Sequence, residues 1–174
     1  MGGAMESQLT IRPYEKRDRG ACRDLWRELT ERHREIYEDA SIGGEDPGAQ
    51  FDAYEKRRNL AGIWVAELDG QVAGMAGLLA EGEQGEIEPV VVRAPVRGRG
   101  IGSALLQRLE NEAQQRGIQY LSVRPVARND RAMVCFHRAG FRQLGHIEMF
   151  RTLGEGPKGR WKPGVRLHGC DFRY

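Results

Sequence analysis

Three glycines and two arginines stand together in Arg97-Gly98-Arg99-Gly100-Ile101-Gly102, between a valine-rich run ending at Val92 and an apolar set at helical spacing, Ile101, Leu105, Leu106, Leu109 and Ala113. The pattern before the glycines suits a strand and the pattern after them a helix, so one element must stop and the other start within a few residues. A helix N-terminus presents unpaired N–H groups and the positive end of the peptide dipoles. With glycines ahead of it, such a turn closes around a phosphate with no Cβ atoms in the way. Arg97 and Arg99 would add charges able to reach further phosphates. The plainer alternative is a tight turn with glycines for packing and solvated arginines. Two known phosphate motifs do not fit. No Gly-x-x-x-x-Gly-Lys-Ser/Thr string occurs, and Ser103 stands where a dinucleotide fingerprint needs its third glycine, after a late strand of the chain.

Around this turn the chain alternates between the two periods. Residues 9–13 read as a first strand closed by Pro13. Asp18 is placed to cap a helix carrying Cys22, Leu25, Trp26, Leu29 and His33, and a glycine-rich loop over residues 41–48 leads to a second short helix through Phe51 and Tyr54. Residues 63–68 and 71–79 read as a hairpin turned by Asp69-Gly70, and a further strand runs through Glu86-Ile87-Glu88 to Val92. After the glycine turn and its helix, ended by Gly117, come a strand at residues 120–126, a helix at 130–139, and strand-like pieces at 144–153 and 165–174. This order predicts one domain of mixed α/β class, helices packed on a largely antiparallel sheet.

Two blocks carry a resemblance to a known family. Arg97-x-x-Gly100-x-Gly102 after a valine-rich strand resembles the acetyl-CoA signature of the GNAT N-acetyltransferase superfamily. The second block, Asn129-x-x-Ala132-x-x-x-Phe136-x-x-x-Gly140-Phe141, is similar to that family's Asn-x-x-Ala-x-x-x-Tyr-x-x-x-Gly-Phe segment. The resemblance implies a GNAT-like sheet whose strands splay apart at an acetyl-CoA slot, and transfer of an acetyl group from acetyl-CoA directly to a primary amine. The pyrophosphate would lie on Arg97, Gly98, Arg99, Gly100, Ile101, Gly102 and Ser103. Val90, Val91 and Val92 would bind the pantetheine arm through their backbone, with contributions from Asn129 and Phe136. A backbone N–H there would polarise the thioester carbonyl. Pro89 cannot donate to a ladder and is placed to help open the slot.

An alkyl ammonium titrates near pH 10, so the acceptor must lose a proton before it attacks. Glu86 and Glu88 are the candidate bases, with Glu86 first; strand alternation puts both on one face. The family's usual proton donor to the departing thiolate is a tyrosine, and here that position is Phe136, which has no proton to give. Water could serve instead; Cys135, His137, Tyr120 and Tyr174 are alternatives without a positional argument.

Between Glu35 and Asp52 stand six acids, Glu35, Glu38, Asp39, Glu45, Asp46 and Asp52, and no Lys, Arg or His. The run reads either as a solvated helix end and loop or, since this region shapes the acceptor site in the family, as an attractor for a polycation. The favoured acceptor is then a small polycation such as an aminoglycoside antibiotic or a polyamine, which would imply antibiotic resistance in the first case. A protein N-terminus or lysine is the second reading, and an acyl-CoA-binding sensor the non-enzyme one.

The rest of the composition narrows the setting. A 174-residue chain with 30% charged residues and net charge +2 has no span for a membrane, and its basic tail (Lys158, Arg160, Lys162, Arg166, Arg173) lacks the aromatic series of a nucleic-acid platform. Three unpaired-looking cysteines suit a reducing cytoplasm. Four scattered histidines show no metal-ligand spacing, so no metal is expected. Met1-Gly-Gly-Ala-Met5 reads as an appended leader, and a homodimer is the family's common assembly.

Overall fold

The computed structural model describes residues 8–151, 153 and 161–174. Residues 1–5, and Lys158 and Arg160 of the basic tail, lie outside the described residues. The elements are β1 (Leu9–Pro13), α1 (Arg19–Tyr37), α2 (Ala49–Tyr54), β2 (Leu60–Leu68), β3 (Gln71–Glu81), β4 (Gln84–Val92), α3 (Ile101–Gln115), β5 (Tyr120–Val123), α4 (Asp130–Arg138), β6 (Pro163–Leu167) and β7 (Cys170–Arg173). The first five strands form one sheet in sequence order, antiparallel except for the parallel β4–β5 pair. This is the mixed, largely antiparallel α/β architecture that the pattern implies.

The hairpin of β2 and β3 turns where Asp69 and Gly70 both adopt positive φ, 51° and 79°, the geometry that matches the twist of the flanking strands. β2 and β3 are buried on both faces, which explains their nearly continuous apolar runs. On one face Trp64, Ala66, Ala76, Leu78 and Ile87 pack against Ile101, Leu105 and Leu109 of α3. On the other, Val65, Met75, Leu79 and Val91 pack against Cys22 and Leu25 of α1 and Phe51 and Tyr54 of α2.

Ile87 and Val91 belong to opposite faces although four residues separate them. The cause is a bulge. Leu78 pairs with Ile87 and Ala76 with Val90, so Glu88 and Pro89 together oppose the single residue Gly77, and the alternation of β4 reverses there. The Tyr54 hydroxyl donates to the Glu88 carbonyl and holds the bulge from the α2 side. Gly77 makes room for this: a Cβ at that position would collide with the Tyr54 hydroxyl and stand 2.7 Å from the Glu88 carbonyl oxygen.

Three expectations are corrected. Asp18 precedes α1 but does not cap it; its carboxylate binds the Arg12 guanidinium through two bonds of 2.7 and 2.8 Å and accepts the Glu15 N–H. The strand at 120–126 ends at Val123, two residues ahead of Pro125, which cannot donate to a ladder. Of the piece expected at 144–153, residue 152 lies outside the described residues and the others form no strand, with no ladder partner among the described residues; the last two strands described are β6 and β7, a separate hairpin turned by His168 and Gly169, both at positive φ. Among the described residues no helix is long and apolar enough to cross a membrane.

Candidate active site

The β4–α3 connection has the geometry of an anion cradle. Gly98 and Gly100 adopt φ of +80° and +82°, values costly for any residue with a Cβ. Gly100 is the residue before α3, and no side chain caps that helix among the described residues. The N–H groups of Gly100, Ile101, Gly102 and Ser103 therefore point out of the helix end without an intrahelical acceptor. Apart from the chain neighbours, nothing among the described residues lies within 4 Å of the place a Cβ would take on Gly98 or Gly100. A shallow cleft between α3 and α4 continues from Ser103 past Gln107, Arg138 and Phe141. Outward N–H groups at a helix start suit an anionic group, while the cleft beside them also carries Glu110.

The Arg97 side chain is committed elsewhere. Its Nε donates to the Val92 carbonyl at 2.8 Å and its Nη2 to Glu28 of α1 at 2.7 Å. Arg99 lies exposed in the turn itself.

Next to the turn, the sheet opens. The β4–β5 ladder runs from Gln84 with Tyr120 to Ile87 with Val123 and stops there. Residues 88–92 of β4 extend beyond it, with Val90, Val91 and Val92 paired with β3 on one side and with no strand on the other among the described residues. Val90, Val91 and Val92 thus present a free strand edge between the glycine turn and the carboxylates.

Glu86 sits one residue before the ladder ends. Its register partner Leu79 belongs to the α1–α2 face, so Glu86 lies on that face, opposite to α3. Its side chain is only 17% exposed, and burial holds its carboxyl above the usual glutamate range. Arg124, at 3.3 Å, opposes that shift; Glu88 adds to it and Arg57 works against it. Glu88 has a different environment, 44% exposed and 2.8 Å from Arg57. Burial and the Glu88 charge push the Tyr54 hydroxyl well above the ordinary tyrosine range, so it remains a donor to the Glu88 carbonyl.

The second sequence block behaves in two ways. The Asn129 side chain accepts the Ala132 N–H at 3.2 Å and caps α4. Phe136 packs edge-to-face on Phe141, centroids 6.1 Å apart, against the α3 core. Cys135 packs against the same core, while His137 and Tyr120 are exposed.

The acidic run is met by the arginines of α1. Asp46 lies 2.6 Å from Arg23 and 3.6 Å from Arg27, Asp52 pairs with Arg19 and Arg23, and Glu35 pairs with Arg32. Glu38 pairs with Lys162 beside β6, and Asp39 accepts from the N–H and hydroxyl of Ser41. Glu45 stays exposed on the loop. A run without a basic residue in sequence is thus largely matched in charge in space. Glu28, Tyr54, Arg57 and Arg124 are the residues near the site that local pattern does not single out, since each acts across 31 or more residues of chain.

Comparison with known proteins identifies the family and the fold. The model of the acetyltransferase (GNAT) family matches residues 20–141. The fold is similar to that of aminoglycoside N-acetyltransferase AAC(6')-Iy solved with coenzyme A, at 17% identity and TM-score 0.63, covering 86% of this chain and 97% of that one. It is also similar to the ribosomal-protein-S18-alanine N-acetyltransferase from Escherichia coli, at 18% identity, TM-score 0.62 and coverage of 79% and 80%. Glucosamine-6-phosphate N-acetyltransferase from Arabidopsis thaliana is a third such structure, at 21% identity, TM-score 0.60 and coverage of 84% and 99%. With its family model spanning both sequence blocks, the glycine turn and the opened sheet, this chain belongs to the GNAT acetyltransferase family and is an acetyl-CoA-dependent N-acetyltransferase.

Proposed function

We propose that the acceptor is a primary amine that reaches the opened sheet from the α1–α2 face, and that Glu86 is its general base. The observation that carries this is the position of Glu86: shielded from water, one residue from the end of the β4–β5 ladder, on the face opposite to α3. Coenzyme and amine would then meet at the gap from opposite sides of the sheet. Acetyl-CoA, when bound, supplies the acetyl thioester. The N–H groups of residues 98–103 hold its pyrophosphate, and the free edge of Val90, Val91 and Val92 orients its arm. Glu86 takes the proton that the ammonium must lose. Phe136 offers no proton to the departing thiolate, so water is the donor in this scheme.

A small polycation, an aminoglycoside or a polyamine, stays the acceptor class to test first, on the similarity to AAC(6')-Iy. The acidic run lends it less support than its sequence suggests, because Asp46, Asp52 and Glu35 face α1 arginines and Glu38 pairs with Lys162; Glu45 stays exposed on the loop. The other two similar structures act, by name, on a protein alanine and on a phosphorylated amino sugar.

The test is thiol release from acetyl-CoA with aminoglycosides, polyamines, basic peptides and glucosamine 6-phosphate, run on the wild type and on Glu86→Gln across pH. A base must be unprotonated to act, and burial raises the Glu86 pKa, so the acid limb of kcat/KM lies above the ordinary glutamate value and activity falls as pH drops through it. Glu86→Gln is expected to cost roughly 100-fold near neutral pH, to abolish that limb, and to leave coenzyme A affinity nearly intact. Equal loss of turnover and coenzyme affinity would mean that Glu86 is structural. Tight coenzyme A binding without turnover of any amine would favour a sensor.

A further inference from the structure

Helix α1 reaches the coenzyme turn through one side chain. Glu28 Oε1 accepts the Ala94 N–H at 2.6 Å and Arg97 Nη2 at 2.7 Å, and Arg97 in turn closes on the Val92 carbonyl. By charge alone a carboxylate is a poor choice here, since it stands beside a turn suited to a diphosphate. Its geometry answers the objection. Ala94 opens the short 3₁₀ turn Ala94–Val96, where no side chain of the turn itself satisfies the N-terminal donors. Arg97 closes that turn, and the glycine-rich segment begins at the next residue. Glycine loses more conformational freedom on ordering than any other residue, so a loop with Gly98 and Gly100 needs an anchor at its start. The strand end supplies one side of that anchor and Glu28 the other.

We infer that Glu28 is a positioning residue for the coenzyme: it fixes residues 94–97, through Ala94 and Arg97, so that the N–H groups of residues 98–103 converge before the ligand arrives. Glu28 does this from α1 without touching the coenzyme. The inference rests on the reading of this turn as the pyrophosphate site, and the two fail differently.

The experiment is calorimetric titration of coenzyme A into the wild type, Glu28→Gln, Glu28→Ala, Arg97→Ala and the Glu28→Ala/Arg97→Ala double variant, with unfolding midpoints taken alongside. Glu28→Ala is expected to weaken coenzyme A about tenfold, the scale of a lost charge-assisted hydrogen-bond pair. Glu28→Gln keeps an acceptor for the Ala94 N–H and recovers part of that loss. The double variant should bind less weakly than the product of the two single losses, because both act through one contact. Unchanged or tighter binding by Glu28→Ala would overturn the inference, showing that the carboxylate competes with the ligand. Losses that multiply independently, or a loss that Gln does not recover, would overturn it as well. If the wild type does not bind coenzyme A, the reading of the turn falls first and this inference falls with it.

Discussion

Gly77 shows how much of a site can depend on an atom that is missing. Tyr54 reaches the Glu88 carbonyl only because no Cβ projects from Gly77, and that contact fixes the bulge that reverses the alternation of β4. Upstream of the bulge β4 turns Glu86 toward α1 and α2, and downstream it turns Val90 and Val92 toward α3. Gly77→Ala overpacks this point and should cost about 2 kcal/mol of stability, read from denaturant midpoints. Adding Tyr54→Phe removes the hydroxyl that the new methyl meets, so the double variant should regain part of the loss. If Tyr54→Phe deepens the loss instead, the hydrogen bond outweighs the collision. Glu86 and Glu88 were visible in the sequence as neighbours on one strand, but their difference was not. One is shielded beside Arg124 and the other paired with Arg57, and both partners come from other elements.

At the scale of elements, α1 ties together the two loops that flank the opened sheet. Glu28, at the middle of the helix, holds the β4–α3 turn, and at its C-terminal end Arg128, from the β5–α4 loop, donates to the Ile36 carbonyl and lies 4.9 Å over the Tyr37 ring. Arg128 also donates to the main-chain oxygen of Tyr174 at 2.6 Å, and Tyr174 exchanges backbone hydrogen bonds with Lys162, which pairs with Glu38. Among the described residues the β6–β7 hairpin is thus fastened to α1 by polar contacts, and neither core cluster includes its residues. Arg128→Ala should therefore raise amide exchange in residues 163–173 by roughly tenfold or more while the β2–β3 ladder keeps its protection. Equal deprotection of both would mean that the hairpin unfolds only with the whole sheet. This is also where reading the sequence falls short. Asp69-Gly70 announces its hairpin because apolar runs flank it, whereas His168-Gly169 adopts the same pair of positive φ values between residues that are mostly exposed. Alternation around Ile147 and Met149 has the opposite fault: the pattern is present, but no buried face or neighbouring ladder uses it, and both side chains are exposed. The glycine turn, α3 and the β2–β3 hairpin were legible since each rests on local spacing.

The whole molecule is closed by a charge network at its N-terminal edge, and its pH dependence can be worked out. Arg12 of β1 binds Asp18, which is 4% exposed, and also Glu67 of β2, so one guanidinium joins the edge strand, its neighbour and the approach to α1. The Arg12 hydrogen bonds hold the Asp18 carboxyl below the usual aspartate range, against the effect of burial. A depressed folded-state pKa contributes stability that is complete above the unfolded-state value and is lost as pH falls through the folded one. Glu86 works in the other direction: with its pKa raised, its ionised form disfavours folding at neutral pH, and that penalty is relieved on moderate acidification. Stability should therefore hold or rise slightly as pH drops toward the ordinary carboxylate range, then fall as Asp18 takes up its proton. Asp18→Asn leaves the Arg12 charge half-answered and should cost about 3 kcal/mol at neutral pH. The gap between wild type and variant should narrow at pH values below the ordinary aspartate pKa, where the wild type loses the same charge. Urea midpoints for both proteins across that range decide the matter, and a gap that stays constant with pH would place the cost of the substitution in packing rather than in the ion pair.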